Sequence, residues 1–274
     1  MKLAGFLALL ALIFWGATAV GATIGPDREP APPVAHATPH AAAVPEDRME
    51  LGHNAADDDH EPEPVRGLAV REGGLTLDLA RDELPRGDAT TLRFAIRDED
   101  GDPVRDFEIE HARRMHLIVV RRDGRGFQHL HPRLVDGEWR VRATIPQAGA
   151  YRVFADFKRA GEPHTLAADL AVDGAADYRA LPKRSRIARV DGYRVERAAN
   201  ELRFTITRGG REITPQRYLG ARGHLVALRE GDLAFVHVHP TGDVYEAELE
   251  RGTRYRLYLQ FRHGGEVHTA EFAR

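Results

Sequence analysis

The chain has 274 residues, with 42 acidic against 39 basic side chains, a formal charge of −3 and no cysteine. Charges this evenly balanced exclude a global field that recruits nucleic acid or an anionic membrane surface. The missing cysteine excludes disulfides, thiolate metal sites, a lipidated N-terminal cysteine and copper centres that need a Cys ligand.

Residues 1–22 begin with Lys2 and continue as an apolar run from Leu3 to about Val20, followed by small residues that offer a cleavage position at Ala19 or Ala22. This pattern is that of a signal peptide or a retained N-terminal membrane anchor, and either places the remainder outside the cytoplasm. Residues 23–66 shift to Pro, Ala, His and acidic side chains with almost nothing large and apolar. Such a segment cannot offset its ordering entropy, so a disordered tether is expected. Within it His53 and His60, the latter beside Asp57, Asp58 and Asp59, are accessory candidates for loose cation binding, with His36 and His40 further upstream.

From Gly67 onward short runs of alternating apolar residues recur between Gly, Asp and Pro: GLTLDL from Gly74, TLRFAIRD from Thr91, HLIVV from His116, FQHLH from Phe127, EWRVRATI from Glu138, YRVFADF from Tyr151 and TLAADLAV from Thr165. Seven short strands with turn residues between them predict an immunoglobulin-like β-sandwich over 67–176. Gly149-Ala150-Tyr151 has the form of a tyrosine corner at the start of the sixth strand. A basic linker over 177–188 precedes a second set of strands, which predicts a second sandwich over 189–274. The fold class expected is therefore all-β, with two tandem sandwiches after a hydrophobic segment and a tether.

The two halves are copies. His116–Pro132, HLIVVRRDGRGFQHLHP, aligns without a gap to His224–Pro240, HLVALREGDLAFVHVHP, with seven of seventeen positions identical, three of them histidines. A fourth histidine follows in each, His164 thirteen residues after Tyr151 and His268 thirteen after Tyr255. Alternate residues of a strand share a face, so His129 and His131 point the same way, as do His237 and His239. A hairpin through Asp123-Gly124 returns His116 beside this pair, and a register that sets 116 opposite 131 puts three imidazoles on one face. Neutral imidazoles on a rigid sheet are ligands for Zn(II) or Cu(II).

The candidate metal ligands are thus His116, His129, His131 and His164 in the first copy and His224, His237, His239 and His268 in the second, a fourth imidazole closing each shell. Asp156, whose counterpart is Gln260, is an accessory candidate that makes the two sites differ in charge, and His111 and His263 are unpaired accessory candidates. Met115 is the only methionine in either repeat, which leaves little for a thioether Cu(I) site. A structural role for all these histidines, in a cell-surface interaction module, is the competing reading. A cupin-type metalloenzyme, for which Glu138 and Glu246 follow the His pairs, is another.

Phe127–Pro132 with Ala150–Phe157, and Tyr218–Arg229 with His237–Pro240, resemble a family of exported two-repeat bacterial proteins sometimes described as heavy-metal-binding secreted proteins. The Asp100-Gly101-Asp102-Pro103 turn is similar to that of YtkA-like and CopC-like sandwiches, although the metal-binding histidine that CopC-like proteins carry at the mature N-terminus has no counterpart here. The resemblance covers nearly all of the chain after the tether. It implies the sandwich fold and an extracytoplasmic compartment. The histidines themselves make a divalent-metal-binding protein the expected function, with a metal-dependent enzyme the minority reading. A membrane metal transporter or other envelope protein is the expected partner, with no nucleic acid and membrane contact only through the N-terminal segment.

Overall fold

A computed structural model describes residues 65–180, 182–236, 238–241, 244–247 and 249–274, without the side chains of residues 239–241. The hydrophobic segment, all but the end of the tether, His36, His40, His53, His60 and His237 lie outside the described residues. Among the described residues every regular element is a strand, and no helix is long and apolar enough to cross a membrane.

The first repeat contributes β1 (Arg71–Glu72), β2 (Leu75–Leu79), β3 (Glu83–Leu84), β4 (Ala89–Arg97), β5 (His116–Arg121), β6 (Gln128–Leu130), β7 (Arg133–Val135), β8 (Glu138–Thr144), β9 (Gly149–Arg159) and β10 (Glu162–Val172). They form two sheets in the orders β1-β2-β4-β8-β7 and β3-β10-β9-β5-β6. The first two-residue strand to join the second sheet, β3, runs parallel to β10, while the other pairs are antiparallel. This is the immunoglobulin-like arrangement, with β2, β4 and β8 in one sheet and β5, β9 and β10 in the other. Tyr151 is fully buried and donates its hydroxyl to Gln147 O at 2.8 Å, which is the tyrosine corner expected from the sequence.

The second repeat contributes β11 (Ile187–Val190), β12 (Tyr193–Arg197), β13 (Leu202–Arg208), β14 (Arg211–Glu212), β15 (His224–Arg229), β16 (Phe235–Val236), β17 (His239–Thr241), β18 (Val244–Glu246), β19 (Tyr255–His263) and β20 (Glu266–Ala273). Its sheets run β11-β12-β13-β18-β17, with β14 beside β13, and β16-β15-β19-β20.

Alternation sorts each strand into two faces. In β5 and β9, Leu117, Val119, Val153, Ala155 and Phe157 enter the sandwich core with Phe94, Phe107 and Trp139. Phe107 packs edge-on against both Trp139 and Phe157, at centroid distances of 5.0 and 5.3 Å. The other face of these strands is apolar as well: Ile118, Val120, Phe154 and Ala167 pack with Val226, Leu228, Leu233, Phe235 and Tyr258 of the second repeat. The strands are therefore buried on both faces, which is why HLIVV and HLVAL read as continuous apolar runs rather than as clean alternation.

This inter-repeat layer is pseudo-symmetric. Phe127 stacks on Tyr258 at 4.1 Å, and Phe235, the counterpart of Phe127, meets Phe154, the counterpart of Tyr258, at 5.7 Å. The two contacts are the same contact exchanged between copies, the signature of a two-fold interface. Tyr258 also donates its hydroxyl to Gly124 O at 2.6 Å, so its buried oxygen is satisfied across the interface. Burying each such aromatic side chain contributes about 1.5–3 kcal/mol, which holds the sandwiches face to face.

Candidate metal centre

The site lies on the inter-repeat face of the first repeat. β5 pairs with β6 in the register Leu117 to Leu130, Ile118 to His129 and Val119 to Gln128. His129 therefore shares the face of Ile118, and His131, two residues on, shares the face of His116. One ligand nitrogen from each of His116, His129 and His131 lies within 4.8 Å of the other two. Their ring centroids are 5.2, 5.2 and 4.8 Å apart. Imidazoles bound to one tetrahedral ion at about 2.0–2.1 Å have centroids roughly 5 Å apart, so the rings already stand where such an ion needs them.

A turn on the N-terminal side of β5 orients the first ring. Glu110 and Arg113 exchange backbone hydrogen bonds of 2.8 and 2.9 Å, and the two residues between them, His111 and Ala112, have φ of +47° and +61°. Both central residues are left-handed, as a type I′ turn requires. The turn carries Glu110 O onto the His116 ring, where Nε2 donates to it at 3.1 Å. The second repeat repeats the device: Tyr218 and Ala221 exchange bonds around Leu219 and Gly220, with φ of +51° and +82°, and His224 Nε2 donates to Tyr218 O at 2.8 Å.

These partners decide the tautomers. A carbonyl oxygen only accepts, so His116 carries its proton on Nε2 and presents Nδ1 as a lone pair. His129 Nδ1 lies 2.8 Å from Gln260 Oε1, and Gln260 Nε2 donates to Thr269 Oγ1 at 3.3 Å, so His129 carries its proton on Nδ1 and presents Nε2 as a lone pair. His116 Nδ1 and His129 Nε2 then face each other at 3.0 Å, acceptor to acceptor. His131 Nε2 is a third buried nitrogen with no hydrogen-bond partner among the described residues. Two lone pairs facing each other beside a third imidazole nitrogen without a partner is an arrangement that a cation satisfies.

Charge points the same way. Burial lowers the pKa of His116 and His224, pushes that of His129 well below the ordinary range, and holds that of His131 at about 4. Neighbouring imidazoles add to the effect at His129 and His131. The rings are neutral near pH 7, the protonation state a metal requires.

Other residues named from the sequence sit elsewhere. His164 pairs with Phe157 across β9 and β10 and stacks on its ring at 5.3 Å, on the opposite face of the sheet from His116. His116 instead shares its row with Asp156 and Thr165, so the expected fourth ligand is one residue out of phase. His268 is likewise turned to the second core: its Nδ1 bonds Asp191 Oδ2 at 2.8 Å, and its ring packs on Tyr193 and Phe261. His263 bonds the Tyr193 hydroxyl at 2.7 Å in that same cluster. The side chain of His239, like all of His237, is outside the described residues. Glu138 lies on the other sheet in ion pairs with Arg93 and Arg140, and the sandwich topology gives it no route to the histidines.

His111 and His224 border the triad, with His111 6.2 Å from His116 and 5.7 Å from His224, and His224 6.3 Å from His129, centroid to centroid. Sequence reasoning missed the oxygens that orient the rings. Two are backbone carbonyls, which leave no trace in side-chain identity, although Leu219-Gly220 marks the turn that carries one of them. Gln260 was visible only as the counterpart of Asp156.

No curated protein matches the chain. Among solved structures it is similar to Salmonella alpha-2-macroglobulin reacted with methylamine, at 16% identity over 76% of this chain and 15% of that one, with a TM-score of 0.29. It is also similar to the Escherichia coli adhesin FdeC, at 15% identity over 74% of this chain and 65% of that one, with a TM-score of 0.28. The chain thus spans under a fifth of the macroglobulin's length. Nothing in these comparisons names the YtkA-like or CopC-like families that the sequence resembled. A family model described as a domain of unknown function, DUF8832, matches residues 69–174 and 188–274, and with both repeats covered the chain belongs to that family.

Proposed function

We propose that this chain is an extracytoplasmic metal-binding protein that holds a divalent ion, Zn(II) or Cu(II), on His116, His129 and His131 for buffering, delivery or sensing. The observation that carries the reading is the 3.0 Å approach of two imidazole lone pairs whose outer nitrogens are both committed to oxygen acceptors. Glu110 O and Gln260 Oε1 are the outer partners that a metal-ligating imidazole characteristically uses to hold its orientation. The apolar segment at residues 3–20 supports export, and a membrane transporter or other envelope protein would exchange the ion.

Equilibrium dialysis of the purified full-length protein against Zn(II) and against Cu(II) tests this. Tight uptake that disappears in His129→Ala and in His131→Ala supports it. If the unaltered protein takes up neither ion, the histidines are structural and the interaction-module reading stands in its place.

A further inference from the structure

The triad supplies three nitrogens, a four-coordinate ion takes a fourth donor, and His164 points into the wrong face to be it. A cavity of about 50 Å³ opens beside the triad, between the repeats. Its polar lining comprises His111, His116, His129 and Asp156 from the first repeat and His224 and Tyr245 from the second. A water molecule needs about 10–15 Å³ of such space, so an ion fits with room to spare.

We infer that His224 of the second repeat is the fourth ligand, so that a single ion ties the two sandwiches together. This rests on the metal-binding reading above. His224 is the duplicate of His116 and is held in the same tautomer, its Nε2–H on Tyr218 O at 2.8 Å, which leaves Nδ1 as the lone-pair nitrogen of a ring that walls the cavity. Its centroid is 6.3 Å from that of His129, against 4.8 to 5.2 Å within the triad. That separation exceeds the triad spacing by about 1 Å (6.3 against 5.2 Å), so the His224 ring has to move toward His129 for both to bind one ion. Asp156 completes the electrostatics. It lies opposite His116 in the β5–β9 register, and its Oδ1 accepts the Thr165 hydroxyl at 2.7 Å. A carboxylate in the cavity wall offsets part of the charge that a divalent ion on neutral imidazoles brings into a buried place.

Co(II) bound to the full-length protein reports this directly, because its visible absorption distinguishes four nitrogen donors from three nitrogens and water. Two variants remove the fourth donor: His224→Gln, which can keep the bond to Tyr218 O, and His224→Phe, which keeps the ring volume. Each is expected to weaken Co(II) binding about 10–100-fold and to shift the spectrum, whereas His164→Gln, on the opposite face of the sheet, leaves both unchanged. Unaltered spectrum and affinity in both folded His224 variants, with binding abolished by His129→Ala, would overturn the inference and leave the triad standing. A change in His111→Ala without one in the His224 variants also overturns it. Absence of Co(II), Zn(II) and Cu(II) binding by the unaltered protein removes the metal reading and this inference together.

Discussion

His129 of the first repeat donates its Nδ1–H to Oε1 of Gln260 in the second over 2.8 Å, so the tautomer of an imidazole of the triad is set by the other half of the chain. The bond is made where the rows His116–Asp156–Thr165 and His224–Gln260–Thr269 of the two inner sheets face one another. Neither repeat alone contains the complete arrangement. Duplication therefore supplied more than a second sandwich, because each copy became part of the other's surroundings.

Removing that acceptor frees the His129 ring to change tautomer and orientation. Gln260→Leu is expected to weaken Zn(II) binding about 10–100-fold, and Gln260→Glu, which offers a more basic acceptor, to strengthen it. Competition against a chelator of known affinity measures both. Equal affinities in the two variants would show that the contact does not act on the metal.

Phe154 is fully buried between the repeats against Phe235. Phe154→Ala is expected to cost about 3–5 kcal/mol of stability, read from urea denaturation. A loss below about 1 kcal/mol would mean that the face-to-face layer contributes little to holding the fold.

Burial holds His116, His129, His131 and His224 below the ordinary imidazole pKa in the folded state. Unfolded, they titrate near ~6.5, so below that pH the unfolded chain binds more protons than the folded one and stability rises with pH. The contribution is fully present above ~6.5 and is lost as pH falls through the window down to the folded value, about 4 for His131. With chelator present, the urea midpoint is expected to be lower at pH 5 than at pH 7.5, and the difference to shrink in His131→Gln. A midpoint that holds steady or rises on acidification would contradict the assignment of these rings as buried and neutral.

The corner bond from Tyr151 to Gln147 O closes the loop into β9. Tyr151→Phe keeps the ring and deletes the hydroxyl, with an expected cost of about 0.5–1.5 kcal/mol in the same denaturation measurement. Since Tyr151 lies on the core face, away from the histidines, metal affinity is expected to be unchanged.

By itself the sequence determined the strands, the duplication and the sharing of a face by His129 and His131, since these follow from period-two alternation and local turns. With the hairpin register left open, it also contained the condition under which His116 would join them, and the pairing of Ile118 with His129 meets that condition. The fate of His164 and His268 was settled only by tertiary structure. A shift of one residue changes the face of a strand, and the pairing of His116 with Asp156 depends on β5 meeting β9 some forty residues later, which no local pattern encodes. The same limit hid Gln260, Glu110 O and Tyr218 O. Two are backbone atoms and the third belongs to the other repeat, so their meeting with the imidazoles exists only once the two apolar faces have packed.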